Sequence, residues 1–167
     1  MSELVNGICT TPAPMIDTRL GKGIQLLTTG PFPLEICIAM TNVLKAVADQ
    51  LQNENRHLGN QTVCCIFSES DSFSISLLPE EYAICVRIAF YAMNRISQFF
   101  GTDKLYTILA EELCHLIWDI SDETEVNFKV LAVLRNLNPD LQMSDIYSAD
   151  TVQSSECWLR DHPDYQL

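Results

Sequence analysis

The chain has 167 residues, of which 47% are hydrophobic, and it carries a formal net charge of −12. This length and composition suffice for one globular domain with a substantial apolar core. The negative charge repels phosphate backbones, so it argues against nucleic-acid binding through a basic surface and favours a basic or cationic partner. No apolar run approaches the ~20 residues needed to span a bilayer. The N-terminus also lacks the basic and apolar regions of a secretory signal, so we expect a cytoplasmic protein without membrane contact.

Seven cysteines raise the question of a disulfide framework or a cysteine metal site. The sequence contains no C-x-x-C pair, and an odd number of cysteines cannot all pair within one chain. Four of them lie inside apolar runs, where a free cysteine behaves as a small hydrophobic residue. We therefore expect reduced and mostly buried thiols, which fits a reducing compartment.

The first half of the chain predicts one strand, one long helix and a hairpin. Residues 1–33 are interrupted by prolines and glycines, and only Ile24-Gln25-Leu26-Leu27 has the character of a strand, so this part is predicted to be an N-terminal extension. From residue 34, apolar residues recur at intervals of three and four, which predicts an amphipathic helix over 34–54. The β-branched and aromatic segment 62–67 and the alternating segment 73–78 predict a β-hairpin.

Three further helices are predicted in the second half. The first, over 80–100, starts after Pro79 with acidic residues in its first turn. The second covers about 103–119 and the third about 123–137, where Asn138-Pro139 ends the periodic pattern. The predicted fold class is thus α+β, with about four helices packed on a small antiparallel sheet. Residues 34–140 would form the core.

The remaining residues, 141–167, are predicted to be an acidic C-terminal tail, whose part from Ser148 onward carries two aromatic residues, Trp158 and Tyr165.

The predicted helix 103–119 contains the sequence Glu111-Glu112-Leu113-Cys114-His115. It differs from the H-E-x-x-H helix of zinc metallopeptidases only in its first position. In the intact motif, two histidines one turn apart bind zinc and the glutamate acts as general base on the metal-bound water. Here Glu111 and His115 occupy the two ligand positions, and Glu112 occupies the position of the base.

A helical wheel predicts where these side chains point. Glu112 falls among Leu105, Leu109 and Leu116, so we expect it to point into the middle of the apolar face. A carboxylate there is unfavourable unless it is paired, protonated or near a metal. Glu111 and His115 lie together at the edge of that face.

The helix that follows offers a third ligand. A break at Ile120-Ser121-Asp122 predicts a tight corner between the two helices. Glu123 falls on or beside the apolar stripe of the second helix, whereas Glu125 falls on the opposite side, and contact between His115 and Glu123 is geometrically feasible. Both glutamates stay open as the third ligand.

The order of these elements resembles the minimal zincin fold. Glu111-Glu112-x-x-His115 resembles its zinc-binding helix, and the segment 122–127 resembles the start of the third-ligand helix in small bacterial and phage peptidases of the ImmA/IrrE type. The resemblance covers roughly residues 62–137. It implies metal contacts from Glu111, His115 and Glu123 and a general-base role for Glu112.

The ligand set argues against efficient catalysis. One imidazole and two carboxylates form a harder and weaker zinc site than two imidazoles and one carboxylate, and they suit manganese or iron(II) equally. The added negative charge makes metal-bound water less acidic. We expect a degenerate zincin-like metallopeptidase relative with weak or no peptidase activity, and with zinc, another divalent metal or no metal.

The alternative is an acidic protein-interaction or regulatory module that has no metal site. Its partner would be a peptide or a protein, and the sequence does not indicate an oligomeric state. Signatures of serine hydrolases, dinucleotide-binding folds and zinc deaminases are missing from the sequence. Metal content would separate the two function classes.

Overall fold

A computed structural model describes residues 4–5, 8–9, 12–59, 62–72 and 87–165. This part of the chain contains six α-helices and five strands, together with short 3₁₀ turns at 18–20 and 97–99. In chain order the elements are β1 (Leu4–Val5), β2 (Ile8–Cys9), β3 (Ile24–Thr28), α1 (Leu34–Asn53), β4 (Val63–Ser68), β5 (Arg87–Ala92), α2 (Met93–Ile96), α3 (Asp103–Trp118), α4 (Glu123–Arg135), α5 (Met143–Ile146) and α6 (Ala149–Asp161).

The main sheet is parallel, so the predicted antiparallel sheet is wrong. Strands β3, β4 and β5 lie in that order, with Ile24 opposite Val63 and Val63 opposite Arg87. Helix α1 connects β3 to β4 as a crossover, and such a connection brings the second strand back parallel to the first. Both edges of β4 are thereby paired. The predicted second strand of the hairpin, 73–78, lies outside the described residues.

The predicted helix over 80–100 is also wrong where the structure describes it. Residues 87–92 form β5, and only Met93–Ile96 are α-helical. Ala89 and Tyr91 are buried while their neighbours are partly buried. A short apolar run fits a helix period and a buried strand equally well, and here pairing with β4 decides for the strand.

Helices α1, α3 and α4 match their predicted positions and pack against one another, and α3 also packs against β4 and β5. The buried residues of α1 include Ile36, Met40 and Val43, which continue the predicted apolar stripe. Strand β5 bonds to α3 through the Tyr91 hydroxyl, which donates to the carbonyl oxygen of Leu109 at 2.9 Å. In the described part of the chain, no helix has the length and apolar character to cross a membrane.

Residues 149–161, which the sequence analysis placed in the acidic tail, form helix α6. Ser148 accepts a hydrogen bond from the Thr151 N–H at the helix start. The ring of Trp158 lies 5.8 Å from that of Phe128 in α4. The five cysteines with described side chains are free thiols, and three of them, Cys37, Cys65 and Cys114, are buried.

Candidate metal centre

The site lies at the corner between α3 and α4, and local sequence explains why the chain turns there. Asp119 ends α3 in the left-handed conformation, with φ of 60°, and its N–H bonds to the carbonyl of His115. Asp122 caps α4, because its carboxylate accepts hydrogen bonds from the N–H groups of Thr124 and Glu125 at 2.9 and 2.8 Å. The four residues between the helices therefore place the last turn of α3 against the first turn of α4.

Strand β5 holds the end of α3 from the other side. Nη1 of Arg87 donates to the carbonyl oxygen of Leu116 at 2.6 Å and lies 3.3 Å from the Asp119 carboxylate. A cation at the C-terminus of a helix satisfies open carbonyl groups and complements the helix dipole. The corner is thus fixed by the sheet as well as by its own caps.

Three predicted ligands converge at this corner. One ligand atom from each of Glu111, His115 and Glu123 lies within 4.8 Å of the others. Nε2 of His115 lies 3.7 Å from Oε2 of Glu123. The structure therefore brings Glu123, and not Glu125, to the imidazole.

The imidazole of His115 is oriented by a backbone group. Its Nδ1 lies 2.8 Å from the carbonyl oxygen of Ile120. A carbonyl can only accept, so Nδ1 carries the proton and donates it. In the neutral ring, Nε2 then presents a lone pair toward Glu123. This arrangement, in which one ring nitrogen donates to a carbonyl and the other is free to bind, is typical of metal-binding histidines.

Glu111 lies in a half-buried and electrostatically crowded position. Burial raises the pKa of its carboxyl group, and the negative charges of Glu112 and Glu123 raise it further, while Lys104 and His115 oppose this effect. Removal from water and neighbouring negative charge both disfavour the ionised carboxylate. A cation bound between Glu111 and Glu123 would relieve this repulsion.

Tyr147 adds a polar group that the sequence analysis missed. Its hydroxyl oxygen is buried and bonds to no protein group in the described part of the chain. Burial raises the pKa of this phenol, and the charges of Glu111, Cys114 and Glu123 raise it further. Nζ of Lys104 lies 5.7 Å from the centre of its ring. Tyr147 directly follows the short helix α5, and no sequence motif predicted a role for it.

The predicted orientation of Glu112 is wrong. Glu112 is exposed, whereas Ala110, Leu113 and Ile117 are completely or almost completely buried. The wheel was centred on the leucines at 105, 109 and 116. The sheet, α1 and α4 instead surround α3 broadly and centre its buried face near Ile117, about 140° from Glu112. The general-base role of Glu112 stays a prediction.

The distances allow a test of whether a metal ion fits. Two atoms bound at about 2.1 Å to one tetrahedral ion lie roughly 3.4 Å apart, and they can never be more than about 4.2 Å apart. The 3.7 Å between His115 and Glu123 lies within this range. A separation of 4.8 Å, the upper limit for this cluster, would have to shorten by about 1.4 Å to reach the tetrahedral value. The side chain of Glu123 is 78% exposed, so its carboxylate can adjust toward an ion. With such an adjustment the three residues fit a divalent ion.

Comparison with protein-family models finds no matching family. Comparisons with curated proteins and with solved structures likewise find no match.

Proposed function

We propose that the domain binds a divalent metal ion through Glu111, His115 and Glu123, and that it is a degenerate relative of zincin-like metallopeptidases. The observation that carries the proposal is the convergence of three ligand atoms across the corner of α3 and α4. The backbone-oriented imidazole supports it. The parallel sheet departs from the antiparallel sheet expected with that family, so the proposal depends on the site and not on the fold.

We propose weak or no peptidase activity for the same site. A bound divalent ion would supply positive charge for activating water. Two carboxylates neutralise most of that charge, whereas two histidines would leave it in place. Glu112 is exposed beside Glu111, so it lies on the solvent side as a base would. The low expected activity therefore results from the charge of the ligand set. It does not result from the position of Glu112, which is open to solvent and substrate.

Metal binding is tested by elemental analysis of protein purified without chelator or nickel resin, followed by calorimetric titration with Zn²⁺ and with Mn²⁺. We expect one ion per chain. His115→Asn keeps an amide donor for Ile120 but removes the ligand nitrogen, so affinity should fall about tenfold or more. Glu123→Gln should have a similar effect. His57→Asn is the matched control, because His57 is exposed and lies outside the cluster.

An absence of binding by the wild type, or equal affinity in His115→Asn and His57→Asn, would reject the metal site. The acidic interaction module would then be the better explanation.

Catalysis is tested separately with metal-loaded protein and an unstructured protein substrate. We expect neither the wild type nor Glu112→Gln to cleave it efficiently. If the wild type cleaves the substrate and Glu112→Gln does not, the proposal of weak or no peptidase activity would be wrong. The proposal of a metal site would still stand.

A further inference from the structure

Two neighbouring cavities lie on the face formed by α1, the first turns of α3 and the end of α4. Their volumes are about 340 and 270 Å³, and both are lined by Asp103 and Tyr106. Volumes near 300 Å³ are typical of small pockets that bind a ligand or an anchoring side chain. Asp103 lies eight residues before Glu111 on α3, a separation of about 12 Å, so this groove is distinct from the candidate metal centre.

The larger cavity is apolar at its base and is preformed. Leu134, Leu141 and Ile146 line it and are buried, while Leu137 lines it and is 38% exposed. Nε of Arg135 donates to the carbonyl of Leu141 at 3.0 Å and fixes the loop that forms this wall. An apolar side chain would therefore enter without rearranging the backbone, which reduces the entropic cost of binding.

The smaller cavity has the same character on the other side of Tyr106. Ile38 of α1 lines it and is 51% exposed, and Leu105 lines it and is buried. Each cavity thus combines a buried leucine with one large aliphatic side chain that faces solvent. Exposed apolar groups beside a concave surface are a common feature of sites that bind apolar partners.

The polar part of the groove is acidic. Asp103 lines both cavities and Glu35 lines the smaller one, whereas no Lys, Arg or His lines either of them among the described residues. Neither carboxylate forms an ion pair within the described part of the chain. Tyr106 adds an aromatic ring between the cavities, and a carboxylate next to an aromatic ring is a favourable environment for a cation.

We propose that this groove, the two cavities joined by Asp103 and Tyr106, binds a linear peptide in which one Arg or Lys lies between two large apolar side chains. The apolar side chains fill the two cavities, and the cation lies at Asp103 and the Tyr106 ring. The net charge of −12 attracts such a peptide at long range. The inference is independent of the metal site.

The test is titration of ¹⁵N-labelled full-length protein with unlabelled synthetic peptides, followed by NMR. The probe peptides carry two leucines separated by two, three or four residues with one arginine between them. Matched peptides carry glutamate for arginine, or serine for both leucines. We expect the arginine peptide of one spacing to shift the amide signals of Asp103, Tyr106 and Leu137, and both matched peptides to bind at least about fivefold more weakly.

Two variants and their controls locate the site. Asp103→Asn should weaken the arginine peptide about fivefold and should reduce the salt dependence of binding. Leu137→Ser should weaken it without changing the salt dependence. Asp161→Asn and Leu27→Ser change an exposed charge and a 52% exposed leucine outside the groove, and they should have no effect.

The inference would be overturned if none of the peptides, at any spacing, shifted the amide signals of the groove residues. Equal binding of the glutamate peptide, or equal weakening by the control variants, would overturn it as well.

Discussion

Nδ1 of His115 lies 2.8 Å from the carbonyl oxygen of Ile120, five residues further along the chain. The bond joins the last turn of α3 to the loop that leads into α4. The same ring therefore serves the stability of the corner and orients the nitrogen that faces Glu123. These two roles can be separated by substitution.

Without metal, His115→Ala should lower the free energy of unfolding by about 1–2 kcal/mol, because it removes the donor to a carbonyl near the buried Ile120. His115→Asn should lower the free energy of unfolding clearly less, since its side-chain amide can still donate a hydrogen bond to the carbonyl of Ile120. Urea unfolding in the presence of EDTA measures both values. Equal losses would mean that the Ile120 bond does not stabilise the corner.

Glu111 should destabilise the metal-free protein at neutral pH. Its folded pKa is raised, chiefly by burial. The folded state therefore holds this proton more tightly than the unfolded state. The stability linked to that proton is complete below the ordinary carboxyl pKa and is lost as the pH rises through the raised value.

Glu111→Gln should accordingly make the metal-free protein more stable than wild type at pH 7 and should change its stability little at pH 4. Thermal unfolding at both pH values, with the exposed Glu156→Gln as control, checks this. With added Zn²⁺ at pH 7, the wild type should become more stable than Glu111→Gln if Glu111 binds the ion. A variant that is less stable at pH 7 without metal would contradict the electrostatic argument.

Glu54 should be a stabilising carboxylate, in contrast to Glu111. Burial opposes its ionisation, but hydrogen bonds from Lys129, Gln50 and Trp118 lower its pKa. Nζ of Lys129 and Nε1 of Trp118 donate to it at 2.7 and 2.6 Å, so it joins α1, α3 and α4.

Glu54→Gln should lower the free energy of unfolding by about 2–3 kcal/mol, because it leaves the ammonium of Lys129 partly buried beside a neutral amide. In wild type this contribution is present above the ordinary carboxyl pKa and is lost as the pH falls through the lowered folded value. Urea unfolding at pH 7 and pH 3 measures it. Adding Lys129→Met should recover part of the loss, and a failure to do so would assign the loss to another cause.

The long helices were predictable because their signal is local. Helices α1, α3 and α4 each have an apolar stripe that recurs within one segment, and the break at 120–122 marks the boundary between α3 and α4 in the sequence. Convergence of Glu111 and His115 with Glu123 followed from helix spacing and the short corner alone.

The failures have a different cause, which is contact between distant segments. Strand β5 has six residues, and only its pairing with β4 distinguishes it from a helix. The orientation of Glu112 depends on how many elements surround α3, which a wheel for one helix does not contain. Tyr147 follows α5, and only the packing of α5 against α3 brings this segment to α3.

Helix α6 was not predicted because its sequence is polar. Only a few of its residues contact the rest of the domain. Ser155 is the buried residue of this helix, and the exposed residues give it an unfavourable mean hydropathy. The ring of Trp158 packs 5.8 Å from Phe128, 5.0 Å from Tyr165 and 4.0 Å from His162. This aromatic cluster joins α6 to α4.

Trp158→Ala should therefore detach α6 while leaving the rest of the fold intact. We expect a loss of about 2 kcal/mol from removing a partly buried aromatic ring, smaller than for a fully buried one. Amide hydrogen exchange should become faster in 149–161, whereas α3 and α4 should keep their protection. Arg160→Ala, on an exposed residue of the same helix, is the control and should leave exchange unchanged. Equal loss of protection in α3 would instead show that α6 and the corner unfold as one cooperative unit, in which case the metal centre would depend on α6 for its stability.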